Sequence, residues 1–206
     1  YYEDSDKRVS GFLHDYAYYA QALLAVAGKV DWIEPESSSG YIEKAKVCFA
    51  HIQSNFGDTL SSGFYYTAED SEAPIVRRKE WFDNATPSGN AMVLHVLSGL
   101  YALSGESEYE TILFREQSYY SQGAKEHASA IACSLEAITQ HDSIAVIKTN
   151  NQSTIELLRD ALLEHSWRRL FVLYDPEIDF QLCIGKTCFP KGRSLEESLV
   201  NYSQNI

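Results

Sequence analysis

The chain has 206 residues, 45% hydrophobic and 22% charged, with 29 acidic against 17 basic side chains and a net charge of −12. That is enough apolar material for a sizeable core in one or two domains. The acidic balance argues against binding to nucleic acid or an anionic membrane, which needs a basic face. No window approaches the roughly 18 consecutive apolar residues of a membrane span.

The start, Tyr1 to Arg8, is acidic and polar and reads as no signal peptide. The chain opens on Tyr1 and its only methionine is Met92, so it is expected to be a piece of a longer, cytoplasmic protein. Phe12, Tyr16, Tyr19, Ala20, Leu23, Leu24 and Ala27 recur at helical spacing, and Leu13, Ala17 and Val26 fill the other faces. The first helix is therefore apolar nearly all round, with Gly28 as its stop. Glu34 to Gly40 reads as a loop. Tyr41, Ala45, Cys48, Phe49, Ile52 and Phe56 form the stripe of a second helix, closed by Gly57. Ser61-Ser62-Gly63 then turns the chain into a short strand, GFYYT, with Ile75 to Lys79 as hairpin partner.

Pro87-Ser88-Gly89 opens a third helix with Ser88 as N-cap and Val93, Val96, Leu97 and Leu100 inward, and Gly105 stops it. Ser107 to Glu110 has the capping-box pattern for a fourth helix. Ala124 to Thr139 reads as a fifth, with Ala128, Ile131, Ala132, Leu135 and Ile138 inward. After His141 the period changes. Strands are expected at Ile144 to Lys148, Leu170 to Tyr174 and Phe180 to Ile184. Capping boxes at Ser153 to Glu156 and Ser194 to Glu197 open two more helices, the former with Ile155, Leu158, Ala161 and Leu162 inward. The first two late strands should be parallel, joined by a right-handed crossover. Two units follow: residues 1–140, mainly helical, and 141–206, a small β-α-β-β-α unit.

Cys48 and Cys133 lie in helical patterns and read as small buried apolar residues. Cys183 and Cys188 lie in CIGKTC, a spacing that is neither a redox CxxC nor a zinc knuckle; two reduced thiols flanking a turn are expected, with a bridge or metal site as alternatives. The three N-x-S/T triplets, at Asn84, Asn151 and Asn201, are read as coincidental.

Chemistry concentrates around RRKEWFDNATPSGNAM, Arg77 to Met92. Asp15 and Tyr16 open the first helix beside His14, and Glu69, Asp70 and Glu72 tip the hairpin. Arg77, Arg78, Lys79, Glu80 and Asp83 follow, then Ser88 and Asn90 at a helix start. Phe64, Tyr65, Tyr66, Trp81 and Phe82 supply flat rings. Carboxylates, amides and aromatic platforms suit a polyhydroxylated ligand, and paired carboxylates can divide acid and base roles. The same residues also suit a turn and a solvated charged surface. No nucleophile elbow, phosphate loop or metal-spaced His/Cys cluster is present in the sequence, so neither cofactor nor metal is expected.

GFLHDYAYYAQALLAV, GFYYTAEDSEAPIVRRKEWFDNATPSGNAM and CIGKTC together resemble the C-terminal part of the thioredoxin-domain-containing YyaL family, which includes spermatogenesis-associated protein 20. The resemblance covers nearly the whole chain, more weakly after Gln140. It implies half of an (α/α)6 toroid of the kind seen in N-acylglucosamine 2-epimerase and six-hairpin glycosidases. The other toroid half and an N-terminal thioredoxin-like domain would be its partners, and a sugar its ligand. It implies Asp15, Asp70, Glu72 and Asp83 as catalytic candidates. It implies Tyr16, Arg77, Lys79, Ser88 and Asn90 as ligand-binding candidates, and the residues' own chemistry adds Trp81. His14 departs from the family, which has a second aspartate there. Two functions are expected: carbohydrate binding or processing, or a non-catalytic scaffold that presents a thioredoxin-like domain to partner proteins.

Overall fold

A computed structural model describes residues 11–31, 33–71, 76–151, 153, 169–192 and 197. The described helices are α1 (Leu13–Val30), α2 (Ser38–Phe56), α3 (Gly89–Ser104), α4 (Ser107–His127) and α5 (Ala132–Gln140). The strands are β1 (Ala145–Thr149), β2 (Leu170–Tyr174), β3 (Gln181–Ile184) and β4 (Thr187–Cys188), in the order β2-β1-β3-β4. The fold is mainly α with a small mixed sheet. No described helix is long and apolar enough to cross a membrane.

α1 buries Leu13, Ala17, Ala20, Leu23, Leu24 and Ala27, a broad stripe that lies along α2, α3 and β2. Two expectations about it change. Phe12 precedes the helix rather than joining it, and Tyr19 is 56% exposed. Gly28 does not stop the helix but lies inside it, where a Cβ would meet Phe171 Cδ1 at 2.8 Å and the Leu170 carbonyl at 3.3 Å. Its role is close approach to β2, and the helix runs on to Val30.

α2 buries Ala45, Phe49, Ile52 and Phe56 as its stripe predicts, but starts at Ser38, inside the stretch read as a loop. Gly57 closes it because a Cβ there would strike the Gln53 carbonyl. α3 is buried on every face from Gly89 to Leu100, not only along its predicted stripe, since α1, α2, α4 and α5 all pack on it. Both of its ends match expectation: the Ser88 hydroxyl accepts from the Ala91 amide at 3.1 Å, and Gly105 caps the far end in the left-handed region at φ 69°.

α4 begins one residue earlier than a Ser107 cap would place it, so the capping box does not form and Glu110 pairs with Lys186 instead. The predicted fifth helix is interrupted. α4 runs through His127, a 3-10 turn spans Ala128–Ile131 and buries Ile131, and α5 then buries Ser134 and Ala137, while Ala128 and Ala132 face solvent. The hairpin after α2 is reduced to one bridge, Tyr65 to Lys79, flanked by a Tyr66 amide to Arg78 carbonyl bond of 2.8 Å. Ile75 lies outside the described residues.

β1 and β2 are parallel, as expected, with Ala145 opposite Leu170 and Thr149 opposite Tyr174. Their crossover and both late capping-box helices fall essentially outside the described residues. β3 runs antiparallel to β1 and turns at Gly185, φ 53°, into β4. That register sets Cys183 directly opposite Cys188, and the two form a disulfide. The expectation of two reduced thiols is thereby corrected: a two-residue turn brings residues five apart face to face, which spacing alone does not reveal. The change from helix to strand falls where the sequence divides at 140. One sheet face nevertheless joins the helical core, through Val146, Phe171, Leu173 and Cys183.

Asp31 ties three elements together. Fully buried just after α1, its carboxylate accepts from the Ser38 amide at 2.8 Å, the Ser38 hydroxyl at 2.6 Å and the Tyr174 amide at 2.8 Å. Removing it leaves buried donors at the start of α2 and the end of β2. Each such orphan costs about 1–3 kcal/mol. Asp31→Ala should therefore lower unfolding free energy by at least about 3 kcal/mol, read as a fall in the urea midpoint at unchanged slope.

Candidate functional site

The start of α1, the end of α2 and the start of α3 gather at one end of the helical array. The Leu13 amide donates to the Tyr66 carbonyl at 3.0 Å, the Glu69 amide to Asn55 at 2.9 Å, and the Gly89 amide to His14 Nε2 at 3.1 Å. The described residues of the connection, 57–71 and 76–88, lie across this end with almost no regular structure. Many of their polar groups are held by side chains, and Arg77, Lys79, Asp83 and Asn90 among the predicted site residues serve that purpose.

Lys79 Nζ donates to Asp58 Oδ2 at 2.7 Å, to Ser61 Oγ at 2.8 Å and to the Ser62 carbonyl at 2.7 Å. Asp58 also accepts from the Leu60 amide, the Ser61 hydroxyl and the Tyr65 hydroxyl. The Lys79 ammonium first, then the Leu60 amide and Ser61 hydroxyl, hold the Asp58 carboxyl well below the ordinary carboxylate range. Arg77 donates to the carbonyls of Thr67 and Asn55 and lies over the Tyr65 ring at 4.2 Å. Neither cation is bonded to Asp83.

Asp83 is bonded to backbone instead. One carboxylate oxygen accepts from the Ser88 amide at 2.8 Å, the other from the Cys133 amide at 2.9 Å, in the first turn of α5. It joins the loop to that helix, whose free amides favour a negative charge. Asn90, 3% exposed, accepts from the Phe64 amide at 2.7 Å and donates to the carbonyls of Phe64 and Glu80 at 2.9 Å each. Trp81 packs edge-on to Tyr120 at 5.3 Å and fills the space that a side chain on Gly63, φ 86°, would take.

The remaining candidates make other contacts. Asp15 is exposed and bonds back to the Phe12 amide at 2.8 Å, holding the first turn of its own helix. Tyr16 packs on His51 at 4.4 Å and Phe56 at 5.6 Å in the α1–α2 seam. Asp70 is exposed in a turn. Glu72 lies outside the described residues.

Sequence reasoning missed three groups. Asp58 carried one readable signal, an aspartate two residues before the amide it accepts, as in an Asx turn. Glu116, 2% exposed in α4, accepts from the Gly63 amide and pairs with Arg115 at 2.6 Å; nothing in its neighbourhood marks it. The third is a polar seam on α1. His14 Nε2 accepts from the Gly89 amide, so the ring hydrogen sits on Nδ1, which is buried without a partner. With no hydrogen on Nε2, its 3.9 Å approach to Glu80 is not an ion pair, and Glu80 is paired to Arg78 at 2.7 Å. One turn on, the Tyr18 hydroxyl donates to the Pro87 carbonyl at 3.0 Å, and burial raises its pKa. Gln21 Oε1, a further turn along, is buried and unpartnered.

Among the described residues, His95, Cys133 and Glu136 are the group whose ligand-type atoms lie close enough together to share a metal ion. No protein-family model matches the chain, and no curated protein matches it either.

Two outcomes follow from these bonds. In Asp83→Asn the new amide nitrogen must face a backbone donor, so one charge-assisted bond becomes a donor–donor clash. Its loss should cost about 1.5–3 kcal/mol, whereas Ser88→Ala, which removes only a cap, should cost about 1 kcal/mol; thermal melts of both variants check the difference. For Asp58 the folded pKa lies below the unfolded value of about 3.9. Its stabilising contribution is thus present above that value and lost only as pH falls through the depressed folded one. Urea midpoints of the parent and Asp58→Asn, separated at neutral pH, should converge only in strong acid.

Proposed function

We propose that this chain is a non-catalytic scaffold built on helical hairpins of the (α/α)6 toroid type, as its resemblance to the YyaL family implies. It would present a thioredoxin-like domain to partner proteins. The observation that carries this reading is the fate of the charged loop. Asp83, Arg77 and Asn90 bond backbone groups, and Lys79 bonds Asp58, the Ser61 hydroxyl and a backbone carbonyl. An acid/base carboxylate must reach a substrate proton, and Asp83 has both oxygens occupied by amides that its removal would orphan. Asp15 and Asp70 are exposed, and Asp15 bonds the amide of Phe12.

A carbohydrate-binding reading draws on a different observation. His14 Nδ1 and Gln21 Oε1 are buried polar atoms without partners, on α1 with Tyr18 between them. A ligand hydroxyl supplies what both lack, a donor for Gln21 and an acceptor for His14. This reading moves the ligand from the loop to the helix.

A panel of mono- and oligosaccharides, screened for binding to the full-length protein by calorimetry, separates the two. The scaffold reading expects no saturable binding. Saturable binding that is lost in a folded His14→Ala or Gln21→Ala variant would replace it with the carbohydrate reading.

A further inference from the structure

Cys133 and Glu136 stand one turn apart on α5 and so share a face. His95 reaches the same point from α3. Its Nε2 lies 3.5 Å from Cys133 Sγ, and the three ligand atoms lie within 4.8 Å of one another. Burial ranges from His95, 8% exposed, through half-buried Cys133 to exposed Glu136, so the group opens to solvent on one side. We propose that His95, Cys133 and Glu136 bind a zinc-like divalent cation through one nitrogen, one sulfur and one oxygen.

The distances suit it. Zinc bonds of about 2.3 Å to sulfur and about 2.0–2.1 Å to nitrogen at a tetrahedral angle put the two ligands roughly 3.5 Å apart. The donor set is one that zinc takes, and three protein ligands leave a fourth position for water. Charge suits it as well. The groups that act on this point are Asp83, Glu136 and Arg169. With the thiol ionised they sum to two negative charges, which a divalent ion neutralises. Arg169 opposes a cation, but burial and Arg169 together also hold His95 below its usual pKa, in the neutral form that ligates. The Cys133 thiol is pushed up to about 11, by burial first and then by the charges of Asp83 and Glu136. In the absence of metal it is therefore a protonated thiol beside His95. Binding displaces that proton to solvent, and no oxidant or reductant is involved.

The test is titration of the full chain with Co2+, followed by absorption, and with Zn2+, followed by iodoacetamide labelling. The expected results are a thiolate-to-cobalt charge-transfer band that saturates, and protection of Cys133 by Zn2+ while Cys48 labels as before. Glu136→Gln, a change at an exposed position, should weaken Co2+ at least about tenfold, and Cys133→Ser should abolish the band. Absence of the band under excess cobalt, a band that survives in Cys133→Ser, or unchanged affinity in Glu136→Gln overturns the site. Should Cys133→Ser not fold, the labelling of the parent chain decides: unprotected Cys133 under saturating Zn2+ refutes the proposal.

Discussion

Backbone taken out of water must be hydrogen-bonded, and the described residues between α2 and α3 have almost no helix or strand to do it. This constraint organises the whole end of the molecule. Backbone groups of Asn55, residues 60–64, Thr67, Glu80, Ser88 and Cys133 find side-chain partners in Asp58, Arg77, Lys79, Asp83, Asn90 and Glu116. Charged groups are the stronger partners in such bonds, about 1.5–3 kcal/mol each against about 1 kcal/mol for neutral ones. A loop rich in Arg, Lys, Asp and Asn is then what an irregular but fixed connection needs. The abundance of reactive-looking residues here is a property of its architecture.

What could be read in advance follows the range over which each signal acts. Ser88 and Gly105 were legible because a cap involves neighbours within a turn. The parallel pairing of β1 and β2 was legible because a helical stretch must separate such strands. Gly28 was misread because a glycine that ends a helix and one that admits a strand look alike in sequence. Only the position of Phe171 tells them apart. The break at Ala128–Ile131 was invisible for a related reason: apolar spacing continues through it while the backbone does not.

The candidate site was legible in place but not in use. Asp15, Arg77, Lys79, Asp83, Ser88 and Asn90, grouped by composition, lie on segments that meet at one end of the helices. Which atom each group bonds depends on partners far along the chain. Asp83 meets an amide 50 residues away and Asn90 one 26 residues away. His95 and Cys133 are separated by 38 residues, beyond the spacing at which a paired ligand motif is recognisable. Glu116, one carboxylate among the many of an acidic chain, had no local pattern at all.

α3 has no polar face of its own from Gly89 to Leu100. As a free segment it would have nothing to turn toward water, and a helix of that length gains little from its own hydrogen bonds. It becomes helical only as α1, α2, α4 and α5 close around it, so its order is held jointly by segments on both sides of it in sequence. Its amides open only when the surrounding helices do, which makes the centre of the array a single cooperative unit rather than a stack of separable hairpins.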